Sequence, residues 1–268
     1  MEILSKITPA ETLLITNGSS AKLKEMLKYT FMDLLLKKVI KIKEVENAED
    51  GTSNTYVVAD KNFIKHKPKN HEITLLKPFQ KDASIEILLE NFIKMAYRAA
   101  NGGHYYRIAI KKSPAINENF KDGFFAKVFG SVSLNQQGIK LQKAIKDYLE
   151  SLDNEIDELL AKDKEKALQR LMALGGNMFL LKNLDLKEFK DIDKEFLRQQ
   201  KKLSDDSEEF DDFDMMWFYM DFFDDDTKYD TYFESFDDAF DSADSSAGFS
   251  SGDSGDSGCS GCGGCGGD

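Results

Sequence analysis

The chain has 268 residues, 41% of them hydrophobic, with four prolines and 36 Lys/Arg against 48 Asp/Glu, a formal charge of −12. This allows one or two compact domains with a sizeable core. No run approaches the ~18 consecutive apolar residues of a membrane-spanning helix, and the opening Met1–Lys6 lacks a basic stretch followed by an apolar one, which argues against a secretory signal.

The charge is unevenly placed. Residues 204–268 hold 20 Asp/Glu against one lysine, Lys228, whereas residues 1–203 hold 35 Lys/Arg against 28 Asp/Glu. All three cysteines, Cys259, Cys262 and Cys265, lie in the last ten residues. An odd number of thiols in a Gly/Ser stretch is no disulfide framework, so a reducing, cytoplasmic setting is expected.

In chain order, Thr8-Pro9-Ala10-Glu11 reads as a capping box with proline at the first helical position. Asn17–Ser20 interrupts, and Leu23, Met26, Leu27, Phe31, Leu34 and Leu35 recur at the spacing of an amphipathic helix. Val39–Val45 changes to a β-branched run, with Tyr56–Ala59 as its hairpin partner across a turn-rich stretch. Helix, turn, helix, hairpin is the order of a winged helix, so residues 1–80 are expected to form one such unit.

Residues 81–203 suggest a weaker second copy. Asp82 or Ser84 is expected to cap a helix through Ile85 to Ala100, stopped by Asn101-Gly102-Gly103. Tyr105–Ile110 is ambiguous between helix and strand. After Pro114 a helix through Phe120 and Phe124-Phe125 leads to a short strand at 128–134. Asn135 caps a long helix from Gln136 to about Leu160, and further helices are expected at 163–174 and from 185 to about 203, with 178–184 as a core segment. The fold class is therefore α+β, mostly helical: one or two winged-helix-like units plus a long helix, followed by an acidic tail.

That tail has two parts. Residues 204–241 intersperse Asp with aromatic residues, and Trp217, Phe218, Tyr219, Phe222 and Phe223 are the candidates for partner binding, either folding back onto the body or anchoring in another protein. Residues 242–268 are almost wholly Ser, Gly, Asp and Cys and are expected to be disordered. Cys259-x-x-Cys262-x-x-Cys265 supplies three thiolates that could converge on zinc or copper, with the fourth ligand missing. The same tail also has the composition of a redox-reactive end or of a modified peptide precursor whose Cys and Ser are cyclised.

Other signals are weaker. Gly252-Asp253-Ser254-Gly255 matches the nucleophile loop of trypsin-like proteases without the histidine and barrels it needs. His71-Glu72 begins a metalloprotease pattern, but Leu75 stands where the second histidine is required. His66, His71 and His104 are accordingly expected at the surface or in loops. Lys22, Lys24, Lys28, Lys37 and Lys38 form a candidate basic patch, and Lys61, Lys65, Lys67 and Lys69 surround His66. With only four arginines in the chain, direct base readout is disfavoured and nucleic acid is not the expected partner.

The order Thr8–Glu11 with its helix, the Val39–Val45 strand, the Leu134-Asn135-Gln136-Gln137-Gly138 helix entry and the Gly258–Gly267 end resembles an uncharacterised bacterial family. Its members join a helical, winged-helix-like region of about 200 residues to a low-complexity Cys/Gly-rich C-terminus. Many are membrane-anchored, and this chain departs from them in lacking a transmembrane helix. The family implies organisation and no activity. The expectation is a non-enzymatic interaction or adaptor protein without a cofactor, whose acidic tail meets a protein partner or its own body. The alternatives are a metal-binding or thiol-reactive tail, a modified precursor, and a weak nucleic-acid binder.

Overall fold

A computed structural model describes residues 1–46, 53–121, 132–184 and 229–246. The described residues are mostly helical, with one three-stranded antiparallel sheet.

Helix α1 (Pro9–Asn17) starts with the expected capping box: the Glu11 amide donates to Thr8 Oγ1 at 3.3 Å and the Thr8 amide to Glu11 Oε2 at 2.6 Å. Residues Pro9 to Thr16 are all buried, so α1 is the central helix rather than a surface one. Its carbonyls at Ile15 and Thr16 have no further turn to bond, and the Gln142 side-chain amide donates to both, at 3.0 and 2.8 Å. Helix α2 (Leu23–Leu36) packs beside α1. The chain then forms β1 (Ile40–Glu46) and β2 (Ser53–Ala59), paired in register from Ile40 with Ala59 to Glu46 with Ser53. The helix, turn, helix, hairpin order is thus present.

Four segments differ from expectation or settle an ambiguity. Helix α3 (Ile73–Lys81) had no expected counterpart: Pro78 lies within it and reads as a breaker, yet Leu75, Leu76 and Phe79 are buried. The helix expected from Asp82 or Ser84 begins later. Asp82 Oδ1 accepts from the amide and hydroxyl of Ser84, closing a turn. Ile87-Leu88 then pairs with Tyr56-Val57 as β3 (Ile87–Leu88), and α4 spans Leu89–Ala100. Asn101, at φ 54°, and Gly102, at φ 87°, turn the chain into α5 (Gly103–Lys111). Tyr105–Ile110 is therefore helical, with Tyr106 and Ile110 one turn apart and buried. After Pro114 there is a short 3₁₀ turn, Asn117–Asn119, and then a lone bridge from Phe120 to Leu134 rather than a helix through Phe120. Phe124-Phe125 and most of the expected 128–134 strand lie outside the described residues.

Asn135 caps α6 (Gln136–Lys162) by accepting from the Gly138 amide at 2.9 Å, and Asp163 caps α7 (Lys164–Leu174) in the same way. The 3₁₀ segment Gly175–Leu180 follows and buries Met178 and Phe179. The Asn177 side-chain amide donates to the carbonyls of Leu4 and Ile7 at 2.8 Å each, tying this segment to the N-terminus. The last described element is α8 (Tyr229–Ser246), which carries regular structure four residues past Ser242, where disorder was expected to begin. Buried apolar residues from Leu4 to Phe240 form one contiguous cluster. No described helix is long and apolar enough to cross a membrane.

Candidate docking site

Helix α8 lies against α2 and α4. Tyr232, Phe236, Ala239, Phe240 and Ala243 recur at three- and four-residue steps, and all five are buried. Phe236, 1% exposed, packs its ring 5.6 Å from that of Phe31 on α2. Phe240 meets Tyr97 of α4 edge-on at 5.1 Å. The contact continues inward, because Phe31 touches Phe92 at 5.8 Å, Phe92 touches Phe79 at 5.9 Å and Phe79 touches Phe63 at 6.2 Å. The tail helix therefore joins the aromatic core of the body.

Charge complementarity surrounds this apolar seam. Lys28 Nζ donates to Asp237 Oδ2 at 2.7 Å, and Lys24 Nζ lies 2.9 Å from Asp241 and 3.5 Å from Asp237. Lys28 also sits over the Phe233 ring, 4.8 Å from its centre. Burial lowers the Lys24 ammonium, but Asp241 and Asp237 outweigh it and hold the group above its ordinary value. The Tyr97 hydroxyl donates to Asp244 at 2.6 Å, and this hydrogen bond is the main reason its pKa is pushed up to about 12.

The two sets of contacts differ in weight. Burying an aromatic side chain is worth about 1.5–3 kcal/mol, whereas a partly exposed ion pair is worth about 0–1 kcal/mol. The aromatics hold the helix and the carboxylates fix its direction. Lys24→Ala and Lys28→Ala should each cost less than about 1 kcal/mol, a loss that disappears in high salt when measured by urea unfolding.

Thr30 and Asp33 of α2, and Lys37 at its C-cap, belong to a second polar cluster. Glu11, His71 and Glu72 are completely buried and Asp33 is 2% exposed. Lys69 Nζ donates to Glu11 Oε2 at 2.6 Å, Lys37 Nζ to Asp33 Oδ2 at 2.6 Å, and Glu72 Oε2 lies 2.9 Å from His66 Nε2 while accepting from the Lys69 amide at 2.7 Å. His71 Nε2 is 3.2 Å from Thr8 Oγ1, and its ring meets Tyr106 edge-on at 6.4 Å.

The electrostatics follow from burial against nearby charge. Desolvation alone would raise the Glu72 carboxyl, but the His66 hydrogen bond and the Lys37 charge reverse this and hold it at about 2. For Glu11, burial again opposes ionisation and Lys69 overcomes it, leaving the group below its ordinary value. Ser113 adds to that lowering without a regular hydrogen bond, since Ser113 Oγ and Glu11 Oε1 have no partner of good geometry. His71 is neutral because burial depresses it to about 4, against the pull of Glu72 and Glu11. Desolvation also works against protonated Lys37, but Asp33 and Glu72 raise it above its ordinary value.

The Thr8–His71 contact has the residue types of a nucleophile and its base. Thr8, however, is 3% exposed and its oxygen caps α1, so the geometry holds a helix start rather than presenting a hydroxyl to a substrate. Gly176 packs directly on this cluster: a Cβ there would lie 2.1 Å from Asp33 Oδ1 and 3.1 Å from Pro9 Cγ. Gly176→Ala should therefore destabilise the fold by about 1–3 kcal/mol in thermal or urea unfolding.

The structure separates the expected basic patch. Lys24 and Lys28 meet α8, Lys37 turns into the ion network, Lys22 is the N-cap residue of α2, and Lys38 sits at φ 49° after the helix. Two of the three histidines lie as expected: His104 is exposed, and His66 lies in the segment between β2 and α3, its side chain 16% exposed against Glu72. His71, in the turn before α3, is instead fully buried. A buried histidine is affordable here because it stays neutral.

Trp217, Phe218, Tyr219, Phe222 and Phe223 lie outside the described residues, as do Cys259, Cys262 and Cys265. Among the described residues no group of three or more His, Cys, Asp or Glu could hold a metal ion. The docking residues that sequence reasoning missed are Tyr232, Phe236 and Phe240. Their helical spacing was the available signal, obscured by the surrounding Asp and Ser. No family model, curated protein or solved structure matches the chain.

Proposed function

We propose that the chain is a non-enzymatic interaction or adaptor protein whose helical body receives acidic, aromatic amphipathic helices, and that its own residues 229–246 occupy the receiving face in cis. The carrying observation is Phe236, fully buried against Phe31, with Lys24 and Lys28 paired to Asp237 and Asp241 along one edge of the helix. An apolar stripe with flanking charges is the usual reading frame of helix-in-groove recognition.

The helix gains little from its own sequence. Asp is a poor helix former, and Asp241 and Asp244 lie near the end of the helix where the macrodipole disfavours negative charge. Its order comes from docking. A tethered segment acts at an effective concentration on the order of millimolar, so a competing partner helix must bind the face more tightly than the tail does.

The test is a chain ended after Lys228, titrated with a labelled peptide of residues 229–246. This shortened chain should bind the peptide and make it helical, while the full chain should bind at least about tenfold more weakly because its face is filled. Equal binding by the two chains would contradict the reading.

A further inference from the structure

The segment from Asp60 to Asn70, between β2 and α3, has an apolar tip, Ile64, that no described residue covers. Ile64 is 90% exposed, whereas the next most exposed large apolar side chain among the described residues, Tyr105, is 60% exposed. Lys61, Lys65 and Lys67 are exposed around it, and Asp60 is the only carboxylate in the segment. The segment's fourth lysine, Lys69, is turned inward onto Glu11.

This exposure is held in place by the fold. The Asp60 and Asn62 amides donate to the carbonyls of Val39 and Lys38 at 3.0 Å, and the Asn62 side chain donates to the Lys37 carbonyl at 3.0 Å. Phe63 turns inward onto Phe79, and His66 is fixed by Glu72. Tight turns close from Phe63 to Asp60 and from His66 to Asn62. With its neighbours Phe63 and His66 anchored, Ile64 is presented outward on a rigid base.

We propose that the 60–70 loop is a docking tip for an anionic lipid surface: Ile64 inserts at the boundary between headgroups and acyl chains while Lys61, Lys65 and Lys67 face the acidic headgroups. The shape favours lipid over a folded partner, because a single protruding apolar side chain with exposed lysines next to it in sequence offers no groove for a peptide, and a fluid surface needs none. The charge favours it over zwitterionic lipid. The lysine stems lie alongside the inserted isoleucine and keep their ammonium groups in water. One apolar side chain and three charges give reversible attachment, which needs no spanning helix.

The test uses the full chain in co-sedimentation with vesicles of phosphatidylcholine alone or mixed with phosphatidylserine. The chain should sediment only with the phosphatidylserine vesicles and release as salt is raised. Ile64→Glu should lower the bound fraction by about tenfold or more without changing thermal unfolding, and joint replacement of Lys61, Lys65 and Lys67 by Glu should abolish it. Failure to sediment at low ionic strength overturns the proposal. So does sedimentation that survives Ile64→Glu, and so does equally tight binding of the wild-type chain and Ile64→Glu to duplex DNA, which would mark the loop as a general polyanion site.

Discussion

Phe236→Ala should release the tail helix from the body. Removing a buried aromatic ring costs about 3–5 kcal/mol, more than the ion pairs of Lys24 and Lys28 can supply together. The helix hangs on the body by this seam and has little stability of its own, so the loss falls on its attachment before it falls on the core. Protease should then cut within residues 229–246 of Phe236→Ala under conditions in which the wild-type segment resists, while the remaining body still unfolds cooperatively. Phe236→Leu keeps most of the apolar volume and should show a much smaller change. Unchanged protease resistance in Phe236→Ala would remove the seam from the account.

The second large effect is loss of stability in acid, and it should begin near neutrality. His71 has its folded pKa depressed to about 4 from an ordinary 6.5. Between these values the unfolded chain takes up a proton that the folded chain refuses, so stability falls as pH drops from 6.5 to 4. The Glu72 carboxyl, depressed to about 2 from an ordinary 4.5, contributes stability that is complete above pH 4.5 and lost as pH falls towards 2. Glu11 is lowered and acts in the same direction, whereas Asp33, raised chiefly by its burial, acts in the opposite one. At about 1.4 kcal/mol per unit, His71 and Glu72 are each worth roughly 3 kcal/mol. Urea unfolding should show falling stability from pH 6.5 downward, with His71→Phe flattening the part above pH 4. Glu72→Gln should cost about 3–5 kcal/mol at neutral pH by removing the buried carboxylate that accepts from the Lys69 amide and pairs with His66, and by leaving Lys37 with Asp33 alone. A wild-type stability that is flat between pH 6.5 and 4.5 would contradict the buried, neutral state of His71.

Much of the body is legible before folding because local signals and tertiary packing agree there. Thr8-Pro9-Ala10-Glu11 specifies the start of α1 and Asn135 the start of α6 through contacts within a few residues, and the β-branched Val39–Val45 marks the first strand by its composition. The misses occur where distant partners decide. Ile87-Leu88 is extended because β2 offers it a ladder, and α3 tolerates Pro78 because Leu75, Leu76 and Phe79 find a core to fill.

The ion network is invisible for the same reason. Glu11 reads as a capping residue, Glu72 as part of a broken metal motif and Lys69 as one of several lysines near His66, and nothing joins them to one another or to Asp33 until α1, α2 and the 66–72 segment are brought together. At the tail, attention goes to the densest aromatic run, Met215–Phe223, while the described docking helix is the sparser stripe at 232, 236 and 240. Spacing on one helical face, rather than aromatic density, identifies it.

Amide hydrogen exchange of residues 232–243 in the full chain tests the docked helix most directly. The account predicts that these amides exchange at least about a hundredfold more slowly than an unstructured peptide of the same sequence, and that Phe236→Ala removes most of that protection. Exchange of this segment at unstructured rates in the wild-type chain would contradict it.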